Sequence, residues 1–368
     1  MAQKFSLKEL VDILSAPSGQ DIESLYSASD RVRAQWVGQQ VHLRGLVEFA
    51  NVCRCNCLYC GLRRDNRGVH RYRMSDREIL DSARFAHRNG YGTVVLQSGE
   101  DPELDVARIA RLTGSIKSEL GLAVTFSLGE LAEKDYAALK DAGADRYLLK
   151  HETTNRDLFR WLKPDSGFDS RLGCLLVLRK LGYQIGSGCM VGLPGQSFED
   201  LARDLLLLQE LDIDMAGIGP FIPADGTPLY KDKKTWPADL RVETTLRMIA
   251  LLRLMCPCAM IPVTTATITL DPEARRKGLQ AGANVIMPNV GGVSYRAHYS
   301  IYPGKACSAE VPGEFQRELL DTIQRIGRKP GEGPGHCKSY VEELPRSPAS
   351  QSRRGSTACS AGENEETR

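Results

Sequence analysis

Short apolar runs alternate with amphipathic segments along most of this chain. Val41–Phe49, Thr93–Gln97, Ala123–Ser127, Arg146–Lys150, Gln184–Val191, Met215–Pro220, Met260–Thr264 and Asn284–Pro288 read as buried strands. Between them Asp76–Arg88, Leu131–Asp141, Ser170–Leu181 and Phe198–Leu211 carry apolar residues at helical spacing, often with a glycine after the last turn. Eight strands alternating with helices predict an α/β fold, a parallel (β/α)8 barrel of the TIM type. Ahead of it, Ser6-Leu-Lys-Glu9 is a capping-box pattern that opens a helix with Leu7, Leu10, Val11 and Ile13 on one side. The expected organisation is a helical extension over 1–40, the barrel with a C-terminal helix over 41–328, and a tail over 329–368. The tail begins Lys-Pro-Gly-Glu-Gly-Pro-Gly and continues in Ser, Arg and Glu. Such a composition buries too little apolar surface to offset chain entropy, so it reads as disordered.

Composition narrows the function classes. The 368 residues carry a formal net charge of +2 with mixed signs throughout, which gives no electrostatic case for nucleic acid. No stretch reaches the length of apolar residues needed to span a bilayer, and the first residues lack an apolar signal region. Eleven cysteines, an odd number, argue against a disulfide framework and for a reducing, cytoplasm-like compartment.

Three of those cysteines carry the chemistry. Cys53, Cys57 and Cys60 stand as Cys-x3-Cys-x2-Cys in one short loop after the first strand. Three thiolates at that spacing can hold three corners of a cubane iron–sulfur cluster and leave one iron without a protein ligand. Clusters are usually held by four cysteines, so the deficit points to a reactive cluster rather than an electron store. A structural zinc site would want four ligands in paired units. Cys55 alternates with Cys53 and Cys57 and does not readily converge with Cys60 on one tetrahedral ion, so it reads as a bystander.

In a parallel barrel the active site lies at the carboxyl ends of the strands. The cysteine loop falls there, and so do Gln97-Ser-Gly-Glu-Asp-Pro102, Ser127-Leu-Gly-Glu130, Lys150-His-Glu-Thr153, Gly192-Leu-Pro-Gly-Gln196, Thr264-Thr265 and Met287-Pro-Asn289. Polar and glycine-rich sequence at every such end, against apolar sequence within the strands, describes a lined barrel mouth.

With those segments in view, the chain resembles the HydE family of radical S-adenosylmethionine (SAM) enzymes, maturases of FeFe hydrogenase. The likeness runs through Cys57-Leu-Tyr-Cys60-Gly-Leu-Arg-Arg-Asp-Asn66, Arg71-Tyr-Arg-Met74, Val95-Leu-Gln-Ser-Gly-Glu-Asp101 and Asp145-Arg-Tyr-Leu-Leu-Lys-His-Glu-Thr153. It continues through Met190–Gln196, Gly217–Pro223, Asn284–Asn289 and Tyr302-Pro-Gly-Lys305, and covers about residues 5–330. The resemblance implies a 4Fe–4S cluster on Cys53, Cys57 and Cys60, with SAM chelating the fourth iron and yielding a 5′-deoxyadenosyl radical on one-electron reduction.

It also implies roles. Ser98, Gly99 and Glu100 sit where such enzymes bind the methionine amino group, and Glu152 and Arg171 match contacts to SAM. Ser127 and Glu130 would meet the ribose, Met190 and Val191 the adenine, and Tyr59 would offer an aromatic surface beside it. Simpler readings stand next to these: Glu152 and Arg171 as an ordinary ion pair, Met190 and Val191 as strand core. Arg146, Thr264, Thr265, Met287 and Tyr299 match positions that line the cavity for a second substrate. For the family that substrate is an organometallic iron–cysteine species with carbonyl and cyanide, supplied by the partner maturase HydG. HydF and an electron donor are further expected partners. A peripheral second cluster of some family members is not expected, since Cys307 is followed by Phe315 and Glu318 at the other two ligand places. Rival functions are a related amino-acid enzyme, such as a methylornithine synthase, and an iron–sulfur cluster carrier.

Overall fold

The computed structural model describes residues 2–17, 22–231, 234–306 and 312–339. Two helices, α1 (Leu7–Ser15) and α2 (Ile22–Trp36), precede the first strand, β1 (Gln40–Ala50). There follow α3 (Asp76–Arg88), β2 (Thr93–Ser98), α4 (Val106–Leu120), β3 (Ala123–Ser127), α5 (Glu133–Asp141) and β4 (Arg146–Leu148). Next come α6 (Arg156–Leu162), α7 (Phe168–Lys180), β5 (Gln184–Ser187), β6 (Met190–Val191) and α8 (Phe198–Glu210). The later part holds β7 (Met215–Ala216), β8 (Gly219–Pro220), α9 (Ala238–Met255), α10 (Thr265–Leu270), α11 (Ala274–Gln280) and β9 (Val285–Ile286). The chain then forms α12 (Val293–Arg296), α13 (Pro312–Arg325) and β10 (Lys329–Pro330).

Local chemistry sets many of these ends. Ser6 with Glu9, Ser75 with Glu78, and Ser197 with Asp200 form reciprocal capping boxes that satisfy amides at the starts of α1, α3 and α8. Asp105 caps α4, and Gly121 ends it in the left-handed conformation at φ 63°.

The strands pair in parallel in the order β1-β2-β3-β4-β5-β7. The circuit closes through single bridges: Met215 to Met260, Pro262 to Val285, and then β9 onto β1 at His42–Leu43. The run Met260–Thr264 thus fills its expected place with bridges rather than a ladder. Gln184–Val191 is divided into β5 and β6, and β6 pairs with β8 beyond the main circuit. Along β1 the side chains alternate as a pleated strand demands. Leu43, Val47 and Phe49 join the outer core beneath the helices, whereas Arg44, Leu46 and Glu48 face the barrel interior.

The expected tail from residue 329 needs correction over its first part. Residues 329–337 cross the base of the barrel. β10 pairs with β1, and Gly331 N–H donates to Val41 O (2.7 Å). Thr93 Oγ1 donates to Pro334 O (2.9 Å), Arg44 Nη2 to Gly335 O (3.1 Å), and Gln184 Oε1 accepts from Cys337 N (2.9 Å). Composition misled here because this segment is held by barrel donors meeting its backbone carbonyls, not by an apolar face of its own. Gly92 shows how close the fit is: an added Cβ there would lie 1.7 Å from Gly333 O. The rest of the expected tail, 340–368, lies outside the described residues, as does Cys307.

Candidate active site at the carboxyl ends of the strands

The cysteine loop leaves β1 at Ala50 and is pinned at its root. Asn51 Nδ2 donates to His70 O and His298 O (2.8 Å each), and its Oδ1 accepts from Tyr72 N (2.8 Å). Arg71 reaches back to the carbonyls of Asn51, Leu62 and Arg63 at 2.7–2.9 Å. A loop without regular structure is thereby held by side chains that satisfy its backbone. Gly99 permits its contact with the second strand, since a Cβ there would meet Val52 O at 2.4 Å. Cys53, Cys55, Cys57 and Cys60 all face one cavity of about 350 Å³ at the barrel mouth.

The four thiols are not equivalent. Hydrogen bonds from Cys55 pull Cys53 down to about 7 and Cys57 down to about 6, the latter also helped by Lys163. Cys55 is pushed up, first by those same bonds to Cys53 and Cys57. Its Sγ also donates to Glu100 Oε2 at 3.2 Å, which ties it as a neutral thiol. Burial, with Cys57 nearby, raises Cys60 to about 12. Thiolates are the metal-binding form. Four sulfur donors facing one cavity form a soft set that fits an iron–sulfur group.

Lys163 was not singled out in the sequence. It follows α6, is buried, and places Nζ 3.3 Å from Cys57 Sγ. Burial opposes its charge, but Cys57, Glu152 and Glu100 outweigh that and raise its pKa. A lone lysine before a proline carries no motif, so only the fold reveals this contact.

Around the thiols stand the carboxylates. Tyr59 Oη donates to Glu152 Oε1 at 3.1 Å, and Glu152 adopts φ 69°, a conformation uncommon outside glycine. Arg171 Nη1 donates to Glu130 Oε1 (2.8 Å) and lies 3.6 Å from Glu100 Oε1. The simple ion pair between Arg171 and Glu152 is not the one formed. Gly129, at φ 80°, presses on Glu100: a Cβ there would sit 2.0 Å from Glu100 Cγ. Ser98, Gly99, Ser127 and Met190 border the same cavity. Glu130 does not line it, but accepts from Ser170 Oγ (3.2 Å) and Ser166 and so orients Arg171.

The same cavity is also lined by Thr264, Thr265, Met287 and Tyr299. Thr264 Oγ1 bonds Thr267 Oγ1 (2.9 Å), and Gln97 Nε2 donates to Tyr299 Oη (3.2 Å). Glu48 and Lys305 line the cavity without having been expected to, and so does Lys150, which the sequence placed at the mouth without a role. Lys305 forms a buried pair with Glu48, and Asn289 Nδ2 also donates to Glu48 (2.8 Å). Lys305 closes the quoted Tyr302-Pro-Gly-Lys305 segment, so a signal for it existed.

Besides Glu130, two further expected residues do not reach the cavity. Val191 turns into the outer core, as alternation from Met190 requires. Arg146 lies at the barrel base, where it bonds Thr93 Oγ1 (3.1 Å), Pro334 O (2.6 Å) and His336 Nδ1 (2.9 Å). Its place at the start of β4 puts it at the opposite end from the thiols.

Comparison with known proteins agrees with this arrangement. Residues 47–208 match the radical SAM superfamily. A [FeFe] hydrogenase maturase subunit HydE of Thermotoga maritima is 48% identical over 342 residues, covering 93% of this chain and 97% of that protein. A 3-methylornithine synthase of Methanosarcina barkeri is 30% identical, covering 76% of this chain and 77% of the relative. Among solved structures, methylornithine synthase superposes with TM-score 0.75 at 26% identity over 90% of this chain and 95% of the other. The maturase HydG from Carboxydothermus hydrogenoformans gives TM-score 0.77 at 20% identity, over 93% and 78%, a likeness of fold.

Proposed function

This chain belongs to the HydE family of the radical SAM superfamily, and from that premise we propose that it acts on a small organometallic iron–cysteine precursor in FeFe-hydrogenase maturation. The observation that carries the reading is the cavity itself, which brings four thiols together with hydroxyl, thioether and phenol groups. When bound, a 4Fe–4S cluster and SAM supply the 5′-deoxyadenosyl radical, and the protein positions and shields it.

On this reading Cys53, Cys57 and Cys60 are the iron ligands. Ser98, Gly99 and Glu100 receive the methionine amino group. Arg171, oriented by Glu130, meets the methionine carboxylate as a fixed guanidinium fork. Glu152, held by the Tyr59 hydroxyl, accepts from SAM, and Ser127 and Met190 border the nucleoside. Thr264, Thr265, Met287 and Tyr299 hold the second substrate close to the reacting carbon. Lys150 adds a cation that suits an anionic, cyanide-bearing ligand. A cytoplasmic setting and the partner maturases HydG and HydF belong to the same proposal.

The test is anaerobic reconstitution followed by assay for 5′-deoxyadenosine with and without the HydG product. Roughly four irons per chain, SAM cleavage and rescue of hydrogenase maturation are expected. Cys57→Ala should lose the cluster while Cys55→Ala keeps it. Consumption of lysine without any rescue would instead favour the methylornithine synthase reading.

A further inference from the structure

Lys150 and Glu152 line the cavity, but His151 between them does not. His151 is fully buried against α8, where its Nε2 lies 3.3 Å from Asp204 Oδ1. A carboxylate only accepts, so that nitrogen carries a hydrogen. Its Nδ1 lies 3.0 Å from Ser187 Oγ, and the same oxygen accepts from His151 N (3.1 Å). Asp204 is also fully buried and takes a second bond on Oδ1, from Thr154 N (2.6 Å). Its Oδ2 has no hydrogen-bond partner among the described residues. One carboxylate oxygen of α8 thus grips the chain on both sides of Glu152.

Glu152 needs such a grip. Its φ of 69° is one of two positive values among the described non-glycine residues, a conformation that persists only where the surroundings over-determine it. On the strand side its N–H donates to Gly188 O and its carbonyl accepts from Met190 N (3.0 Å each). On the helix side Asp204 holds its neighbours, and Asp200, one turn earlier, accepts from Asn155 Nδ2 (3.1 Å). Cys189 approaches the pair, so that metal-binding atoms of His151, Cys189 and Asp204 lie within 4.8 Å of one another. Both ring nitrogens of His151 are already engaged, which makes the group a clamp rather than a cage for an ion.

We propose that His151 and Asp204 are positioning residues for the SAM site. They fix the left-handed turn that aims the Glu152 carboxylate into the cavity. The proposal rests on the functional reading above, in which Glu152 accepts from SAM, and deepens it by assigning the support of that carboxylate. Neither His151 nor Asp204 lines the cavity, so their effect on SAM passes through Glu152.

The experiment is equilibrium titration of SAM against reconstituted holoenzyme, arranged as a double-mutant cycle. Asp204→Leu and His151→Phe should each weaken SAM binding roughly tenfold, part of the loss expected for Glu152 itself. Asp204→Asn retains an oxygen facing Thr154 and His151 and should restore most of the affinity. In a Glu152→Ala background Asp204→Leu and His151→Phe should add no more than about a twofold further loss, because the group they position is gone. Iron content should match the native protein throughout. Hydrogen exchange of residues 150–154, measured without SAM, should be faster in Asp204→Leu and His151→Phe. A melting temperature that falls while SAM affinity holds, or losses fully additive with Glu152→Ala, would overturn the positioning role. So would one zinc per chain in the native protein that His151→Phe removes. A native holoenzyme that binds no SAM would overturn the functional reading, while unchanged exchange at 150–154 would overturn the clamp whatever SAM does.

Discussion

Lys163 Nζ lies 3.3 Å from Cys57 Sγ, with Lys163 buried at 4% exposure. An ammonium against a cluster ligand is one of the levers that set a cluster's potential, through net charge and hydrogen bonding to sulfur. Lys163 thus connects the end of α6 to the electronics of the site.

Lys163→Met should therefore lower the reduction potential, because the reduced cluster carries one more negative charge and loses a nearby cation. A shift on the order of 60 mV corresponds to about 1.4 kcal/mol for one electron. EPR-monitored redox titration reads it directly. Iron content should stay near that of the native protein, since Lys163 is not itself a ligand.

Glu152→Gln should weaken SAM binding about ten- to a hundredfold, the equivalent of losing a charge-assisted hydrogen bond of roughly 1.5–3 kcal/mol. The Tyr59 hydroxyl still finds an acceptor in the glutamine carbonyl, so the unusual backbone at φ 69° keeps its support. Equilibrium titration of SAM against reconstituted protein checks this, and unchanged affinity would make Glu152 a structural residue.

Ending the chain at Arg328 should be far more damaging than ending it at Ser339. The shorter chain removes the carbonyls that accept from Arg44, Thr93 and Arg146 at the barrel base. A buried donor left without an acceptor costs about 1–3 kcal/mol, and the sum should lower the melting temperature by roughly 5–10 °C. Scanning calorimetry of the two truncations decides the matter; equal melting temperatures would mean that the crossing segment adds little.

Acid should loosen the same segment. His336 Nδ1 accepts from both Arg146 (2.9 Å) and Gln184 (2.6 Å), which requires the neutral ring. Burial, and then Arg146, lower its pKa from 6.5 to about 4, while Asp145 nearby pulls the other way and Lys117 and Arg44 reinforce the fall. The unfolded chain therefore binds more protons than the folded one between those values. Stability is fully present above about pH 6.5 and is lost as pH falls towards 4. Hydrogen exchange of residues 329–337 should rise over that window, and His336→Gln should flatten the dependence. Some slope should persist, because His42 is also lowered to about 4, first by burial and then by Arg44.

The strand–helix rhythm, the barrel and the placement of Cys53, Cys57 and Cys60 at its mouth were legible in the sequence, because periodicity, capping and short-range ligand spacing are local properties of the chain. Glu152 and Thr265 were also reachable, since each follows an expected strand on the side where the cysteine loop emerges, whereas Tyr299 was reached through the family resemblance alone. What only the tertiary structure decided depends on chain ends and faces meeting across long separations. Lys163 meets Cys57 across 106 positions, and Arg171 chooses Glu130 and Glu100 over Glu152. The sheet also turns Arg146 to the base, where a glycine-rich segment read as disordered supplies its acceptors. No local pattern encodes these contacts. They arise because closing a barrel brings the first strand beside the last and leaves polar interior groups at its base that must find partners.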